Sequence, residues 1–130
     1  MFSHVVVGTN NLENAKRFYD AVLGALGIGE GRLDDNGSRR RYAYRTSTGA
    51  FFVTEPINGQ VASPANGGTI GFTCRSSAEV DDWHAAGVAN GGQSAENAPG
   101  WRGPAGSGLY LAYLRDADGN KLCAAYRPAA

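Results

Sequence analysis

Phe2-Ser3-His4-Val5-Val6-Val7-Gly8, followed by Asn11-Leu12-Glu13 and Arg17-Phe18-Tyr19, is the stretch on which the fold turns. Phe2 to Gly8 is short and rich in Val, which reads as a β-strand. Asn10 followed by Glu13 gives a capping-box start. Leu12, Ala15, Phe18 or Tyr19, and Val22 recur at helical spacing, and Gly24 and Gly27 close the helix. A weak strand near Glu30 to Leu33 runs into the turn Asp34-Asp35-Asn36-Gly37. Arg39 to Thr46 alternates as a strand, turns at Thr46-Ser47-Thr48-Gly49, and returns through Ala50 to Glu55. Pro56 ends the unit.

The same order of elements then returns. Residues 57–68, rich in Gly, Ala, Asn and Pro, read as a linker. Thr69 to Cys74 is a strand, Ser76 with Glu79 is a second capping box, and Val80, Trp83 and Val88 follow at helical spacing. Gly91-Gly92 closes that helix. Residues 93–107 read as a short strand and the loop Asn97-Ala98-Pro99-Gly100-Trp101-Arg102-Gly103-Pro104. Leu109 to Arg115 and Lys121 to Tyr126 are strands around Asp116-Ala117-Asp118-Gly119-Asn120. Adding 65 to His4 gives Thr69 and adding 65 to Phe18 gives Trp83; adding 70 to Arg45 gives Arg115 and adding 70 to Gly49 gives Gly119. The chain therefore reads as one α+β domain in which a βαβββ unit is used twice: residues 1–56, a linker over 57–68, and residues 69–130.

Composition bounds the function. At 130 residues there is room for one core, and 42% hydrophobic against 18% charged residues excludes a disordered chain. Twelve Lys+Arg balance twelve Asp+Glu, so no net field favours nucleic acid or an anionic membrane as partner. No apolar run is long enough to span a bilayer, and Asn10, Asn11 and Glu13 interrupt the opening before a signal-peptide core forms. Two cysteines, Cys74 and Cys123, are too few and too far apart for a disulfide framework, which suits a cytoplasmic protein. Nineteen glycines without a period suit short strands joined by tight turns. No GxSxG, P-loop or GxGxxG motif follows a strand, so serine-hydrolase and nucleotide readings have no support.

The opening stretch, with Val22-Leu23-Gly24, resembles the start of the vicinal oxygen chelate superfamily, which includes glyoxalase I, bleomycin-resistance proteins, fosfomycin-resistance enzymes and extradiol dioxygenases. Arg115-Asp116-Ala117-Asp118-Gly119-Asn120-Lys121-Leu122 resembles its Asp-Pro-Asp-Gly-Asn hairpin, with Ala117 in place of Pro. The resemblance covers nearly the whole chain. It implies two βαβββ modules whose sheets form a half-open, barrel-like cup, with helices outside, a small-molecule ligand within, and a homodimer as the assembly. It does not choose a reaction, because isomerases, transferases, dioxygenases and pure binders share this scaffold.

Strand alternation assigns sides independently. Ile70, Phe72, Cys74, Leu122, Ala124 and Tyr126 face a helix; Thr69, Gly71, Thr73, Lys121, Cys123 and Ala125 face the cup. Arg39, Arg41 and Arg45 share one face, opposite Arg40, Tyr42 and Tyr44. Three arginines are not buried unpaired under a helix, so their face opens to cup or solvent. Arg41, Arg45 or Arg115, the last beside Tyr113, is then a grip for an anionic group on a ligand, or else a member of surface ion pairs. Trp101 and Arg102 could lid the cup, plug its end or meet a second subunit.

Metal-dependent relatives place ligands early and late in each module, at positions that the resemblance carries to His4, Val53, Thr69 and Cys123. Only His4 is an ordinary ligand there, Val53 has no donor, and Cys123 offers a thiolate in place of a carboxylate. Glu55, two residues past Val53, is the remaining donor. Two readings stay open: a glyoxalase-like lyase or isomerase centred on His4 and Tyr113, with a divalent metal on His4, Glu55 and Cys123; and a non-catalytic binder of the bleomycin-resistance type, with no cofactor. His84 reads as a partly exposed helix residue.

Overall fold

A computed structural model describes residues 1–104 and 108–128. Ten elements run in the order β1 (His4–Gly8), α1 (Leu12–Gly24), β2 (Arg32–Asp35), β3 (Arg40–Thr46), β4 (Gly49–Thr54), β5 (Ile70–Thr73), α2 (Ser77–Ala89), β6 (Gln93–Arg102), β7 (Leu109–Arg115) and β8 (Lys121–Tyr126). They form two four-stranded sheets of identical topology, β1-β4-β3-β2 and β5-β8-β7-β6. In each, the strand before the helix pairs in parallel with the last strand, and the other pairings are antiparallel. The repeat read from the sequence is thus a structural repeat, α+β, with the two sheets left unclosed.

The helices begin where short polar side chains cap them. Asn11 Oδ1 accepts from the Asn14 amide at 3.1 Å, and Ser76 Oγ accepts from the Glu79 amide at 3.1 Å. The first cap is Asn11 rather than Asn10, whose side chain instead accepts from the Ala62 amide at 2.8 Å and donates to the Ala62 carbonyl, tying down the linker. Adding 65 to Leu12 and Gly24 gives Ser77 and Ala89, so the two helices coincide end to end under the repeat.

Each helix lies on one face of its own sheet, and the helices also pack on each other. Phe18, Tyr19, Val22 and Leu23 of α1 and Val80 and Trp83 of α2 join Tyr44, Phe51, Val53, Leu114, Leu122 and Ala124 in one core that spans both modules. Gly87, not Val88, is the inward residue of the last turn of α2, and Val88 is exposed. A Cβ at Gly87 would lie 2.3 Å from Leu114 Cδ1 and 3.1 Å from Val22 Cγ1. A side chain there would have to displace Leu114 of β7 and Val22 of α1, which is why the position is glycine.

Residues 93–102 differ from the expected loop: they form the long edge strand β6. Its register on β7 is broken between Ala95 and Gly100, where the intervening residues bulge out. Gly and Pro here mark the bulge rather than a lid. The remainder of the expected loop includes residues 105–107, outside the described residues.

Candidate functional site

The faces of the sheets turned away from the helices carry the candidate site. On the first sheet the register builds rows across β1, β4 and β3: His4 beside Ala50 beside Arg45, then Val6 beside Phe52 beside Ala43. Phe52 is the hub. The His4 ring meets it edge-on with centroids 5.9 Å apart, and the guanidiniums of Arg41 and Arg45 lie 4.2 and 5.3 Å from its centroid. These cation–π contacts explain why an aromatic on an open face is nevertheless buried. Arg41 is neutralised by Asp34, Nε to Oδ2 at 2.7 Å, and that guanidinium holds the Asp34 carboxyl below its ordinary range. Arg45 has no carboxylate within ion-pair distance among the described residues.

On the second sheet Tyr113 and Cys123 are directly opposed on β7 and β8. The Lys121 ammonium sits 4.9 Å from the Tyr113 ring centroid and pairs with Glu96. Burial pushes the Cys123 thiol up, against a lowering contribution from the Tyr113 hydroxyl, and burial pushes the Tyr113 hydroxyl up as well. Cys74, desolvated beneath α2, is pushed up to about 11. Both thiols are free, and at neutral pH both are protonated and poor nucleophiles. Glu96 went unnoticed in the sequence. It has φ 57°, an uncommon conformation for a non-glycine residue, and the β6 bulge sends its carboxylate toward Lys121.

Several expected site residues sit elsewhere. Val53 is fully buried in the core beneath α1, and the open-face residue matching Cys123 is Phe52. The cause is hairpin length. Thr46 pairs with Gly49, whereas its counterpart Asp116 meets Asn120, so β4 and β8 match at an offset of 71 instead of 70. Glu55 consequently lies on the helix side, where Arg40 holds it through backbone and side-chain bonds of 2.9 Å and depresses its pKa. It is not a neighbour of His4 on the open face. Arg115 is directed to its own hairpin, donating to the Gly119 carbonyl at 2.8 Å, and Arg102 ties down the bulge by donating to the carbonyls of Gly100, Asn97 and Ala98. Trp101 is 56% exposed and packs edge-on against Tyr110 and at a tilt against Tyr126, on the helix side of the second sheet, away from Cys123. Thr69 precedes β5 and borders a small cavity with Val6 and Lys121.

The donor set does not suit a resident metal. The four positions carried over from metal-dependent relatives hold His4, Phe52, Thr69 and Cys123: one good ligand, one hydrocarbon, one neutral hydroxyl and one thiol held protonated. Among the described residues no three His, Cys, Asp or Glu side chains gather to hold an ion.

A cavity of about 530 Å³ runs through the seam between the modules. The edge strands β1 and β5 both border it and are not hydrogen-bonded to each other. Its inner wall is apolar, from Leu23 and Leu26 at the end of α1 to Phe51, Ile70 and Phe72. At the open face its mouth is bordered by His4, Ala50, Gly71 and Thr73, and among the described residues no Asp or Glu lines it.

Two repeated βαβββ modules in this topology point to one superfamily, and comparison with known proteins agrees. The family model of the Glyoxalase/Bleomycin resistance protein/Dioxygenase superfamily matches residues 1–124. The chain belongs to that superfamily. Among solved structures, a glyoxalase/bleomycin resistance protein from Albidiferax ferrireducens T118 is 56% identical over 97% of this chain and 98% of that one, with a TM-score of 0.88. A glyoxalase-related enzyme from Fulvimarina pelagi (21% identity, 98% and 88% covered, TM-score 0.71) and a lactoylglutathione lyase from Agrobacterium tumefaciens (21%, 97% and 92%, TM-score 0.65) share the fold. A search of curated protein sequences finds no match. No helix among the described residues is long and apolar enough to cross a membrane.

Proposed function

We propose that this protein binds a small, largely apolar molecule in the seam cavity, and that it acts as a non-catalytic ligand-holding member of its superfamily. The observation that carries this reading is the cavity itself. About 530 Å³ lies within the range of small-molecule sites, with an apolar wall and a few convergent polar groups at the mouth. Against a metal-dependent lyase or isomerase stand Phe52 at the late position of the first module and Glu55 held on the opposite face by Arg40. His4, hydrogen-bonded to Ser3 at 2.7 Å, then serves as a polar contact at the mouth. A homodimer and a cytoplasmic location belong to the same proposal; sedimentation at the dimer mass would support the first.

Gly71 provides the test, because a Cβ added there meets nothing within 4 Å. Gly71→Leu should therefore fold normally while placing bulk in the mouth. Amide NMR shifts on titration with 4-phenylbutanol should cluster at Val5, Phe51 and Ile70–Thr73 and be lost in the variant. Shifts scattered over the surface, or unchanged by the variant, would remove the proposal. Calorimetric titration with Zn, Mn, Fe(II) and Ni, with His4→Ala as control, tests the competing reading. Micromolar one-site binding that the control abolishes would restore the metalloenzyme.

A further inference from the structure

The linker between the modules is fixed against the hairpin of the second sheet. Asn10 bonds to both the amide and the carbonyl of Ala62, and Pro64 packs so closely on Gly119 that a Cβ there would lie 3.1 Å from Pro64 Cγ. Residues 65–68 then form a β-turn, closed by the Gly68 amide on the Ala65 carbonyl at 3.3 Å. Gly67 has φ +94° in it, a conformation that glycine adopts without strain. Between turn and hairpin is a cavity of about 330 Å³, bordered by Asn66, Gly67, Thr69, Arg115 and Lys121, and among the described residues no Asp or Glu lines it. Arg115 and Lys121 are directly opposed on β7 and β8, so a guanidinium and an ammonium stand on adjacent strands. Lys121 pairs with Glu96, whereas Arg115 forms no ion pair among the described residues. Its bond to the Gly119 carbonyl orients the guanidinium and uses only one of its nitrogens. The hairpin carboxylates Asp116 and Asp118 are turned to Tyr19, Thr9 and Asn10.

We propose that this cavity is a second ligand site, which takes the phosphate group of a small phosphate monoester. It shares no lining residue with the seam cavity, so it stands or falls independently of the reading above. Three kinds of donor border it: a guanidinium, an ammonium, and the 66–69 turn, where the amides of Asn66 and Gly67 have no backbone acceptor among the described residues. A tetrahedral phosphate offers three terminal oxygens to such a set, where a planar carboxylate offers two. Because the Arg115 guanidinium and the linker are already held, little ordering remains to be done on binding. Glu96 competes for Lys121 without lining the cavity, so it tempers the affinity of the site. The ester group extends into an adjoining cavity of about 290 Å³, which shares Thr69 and Lys121 and is bordered by the exposed Val6.

The experiment titrates the full chain calorimetrically with phenyl phosphate and with phenylacetate, a carboxylate of similar length, and follows amide NMR shifts in parallel. Phenyl phosphate should bind at one site about tenfold tighter than phenylacetate, and its shifts should cluster at residues 66–69 and 115–121. Phenol, which lacks the phosphate, should leave those amides unmoved. Arg115→Gln, whose side-chain amide can still reach the Gly119 carbonyl, should weaken phenyl phosphate about tenfold. Glu96→Gln, which frees the Lys121 ammonium, should tighten it by roughly threefold. A variant that merely unfolds cannot bind tighter, so the two opposite signs separate recognition from damage. Gly71→Leu, in the seam cavity, should leave phenyl phosphate binding unchanged. Equal affinity for phenylacetate and phenyl phosphate would overturn the phosphate assignment. Absence of binding, an affinity insensitive to both Arg115→Gln and Glu96→Gln, or its loss in Gly71→Leu would overturn the site.

Discussion

The two hairpins that close the two sheets do opposite things at the seam. In the second module, Asp116 to Asn120 bolts one half of the molecule to the other. Asp116 accepts from the Tyr19 hydroxyl at 2.5 Å, Asp118 accepts from Thr9 Oγ1 at 2.6 Å and the Asn10 amide at 2.8 Å, and Asn120 donates to the Gly8 carbonyl at 3.0 Å. In the first module, the side-chain bonds found for Thr46 to Gly49 stay within the turn, and the next residue, Ala50, donates to the Ser3 carbonyl at 3.1 Å just before β1 of the same module. The repeat supplies the reason. Asp116 and Asp118 correspond to Thr46 and Thr48, and Tyr19 corresponds to His84, which bonds to Ser94 within its own module. One side of the seam is latched and the other is left as the 530 Å³ cavity. A duplicated unit keeps an open cavity at its seam by retaining its closure chemistry in only one copy.

The strongest way to break that comparison is to remove the latch. Asp116 also accepts from the Asp118 and Asn120 amides and from Asn120 Nδ2, so Asp116→Ala orphans several buried donors, the Tyr19 hydroxyl among them. Burial and the Asp116 charge already hold that hydroxyl well above its ordinary pKa, so it stays a neutral donor at all working pH. The expected loss is about 3 kcal/mol in urea unfolding, from donors left unsatisfied. Thr46→Ala with Thr48→Ala, the matching change on the open side, should stay within about 0.5 kcal/mol, as exposed substitutions do. Equal effects would mean that the two hairpins are energetically alike.

A smaller effect is expected where the halves meet through their helices. Val22 and Gly87 correspond under the offset of 65, and they pack large against small. Gly87→Ala should cost roughly 2 kcal/mol by overpacking, with Leu114 as well as Val22 in the way. The same substitution at Gly71, on the open side, meets nothing and should cost nothing measurable. Thermal unfolding of the two variants side by side reads the difference.

Much of this was legible in the sequence, and the exceptions have physical causes. Strand alternation placed Arg40, Tyr42 and Tyr44 against Arg41 and Arg45, and Phe72 and Leu122 against Gly71 and Cys123, because a two-residue period is local and survives without knowledge of the partner strand. Carrying a site between modules failed at β4, because one extra hairpin residue moves every later residue to the other face. Val53 and Glu55 were assigned to the open face on that slip. Matching the buried pair Phe51 and Val53 to Leu122 and Ala124 would have given the correct offset. The roles of Arg102 and Arg115 were hidden because their acceptors are backbone carbonyls, which no side-chain pattern announces. The bulge that presents Glu96 was hidden because Asn97 to Pro99 reads equally well as a loop. The cavity was hidden because it depends on what one hairpin fails to reach.

The smallest effect concerns acid. Asp20 fixes the end of α1 to the strands beside the open seam, accepting from the Gly31 amide at 2.9 Å, the Tyr44 hydroxyl at 2.8 Å and Lys16 Nζ at 2.5 Å. Partial burial pushes its carboxyl up, but those three donors outweigh it and hold the pKa below the ordinary carboxylate value. A carboxyl depressed in the folded state contributes stability that is fully present above its unfolded pKa, about 3.9, and is lost as pH falls through the folded value. Its counterpart in the second module is Ala85, and Glu79 there, also depressed, is held mainly by its near neighbour Arg75 rather than by a strand, so the second helix has no equivalent of the Asp20 tie at that position. Asp20→Asn should therefore be less stable than the parent chain at pH 7, and the gap should narrow as the pH falls below about 4. Amide exchange should show the loss first at Leu26 and Ile28, which border the cavity, and last at the latched hairpin. A gap that stays constant from pH 7 to pH 3 would mean that the carboxylate charge contributes nothing there and that only the shape of the side chain matters.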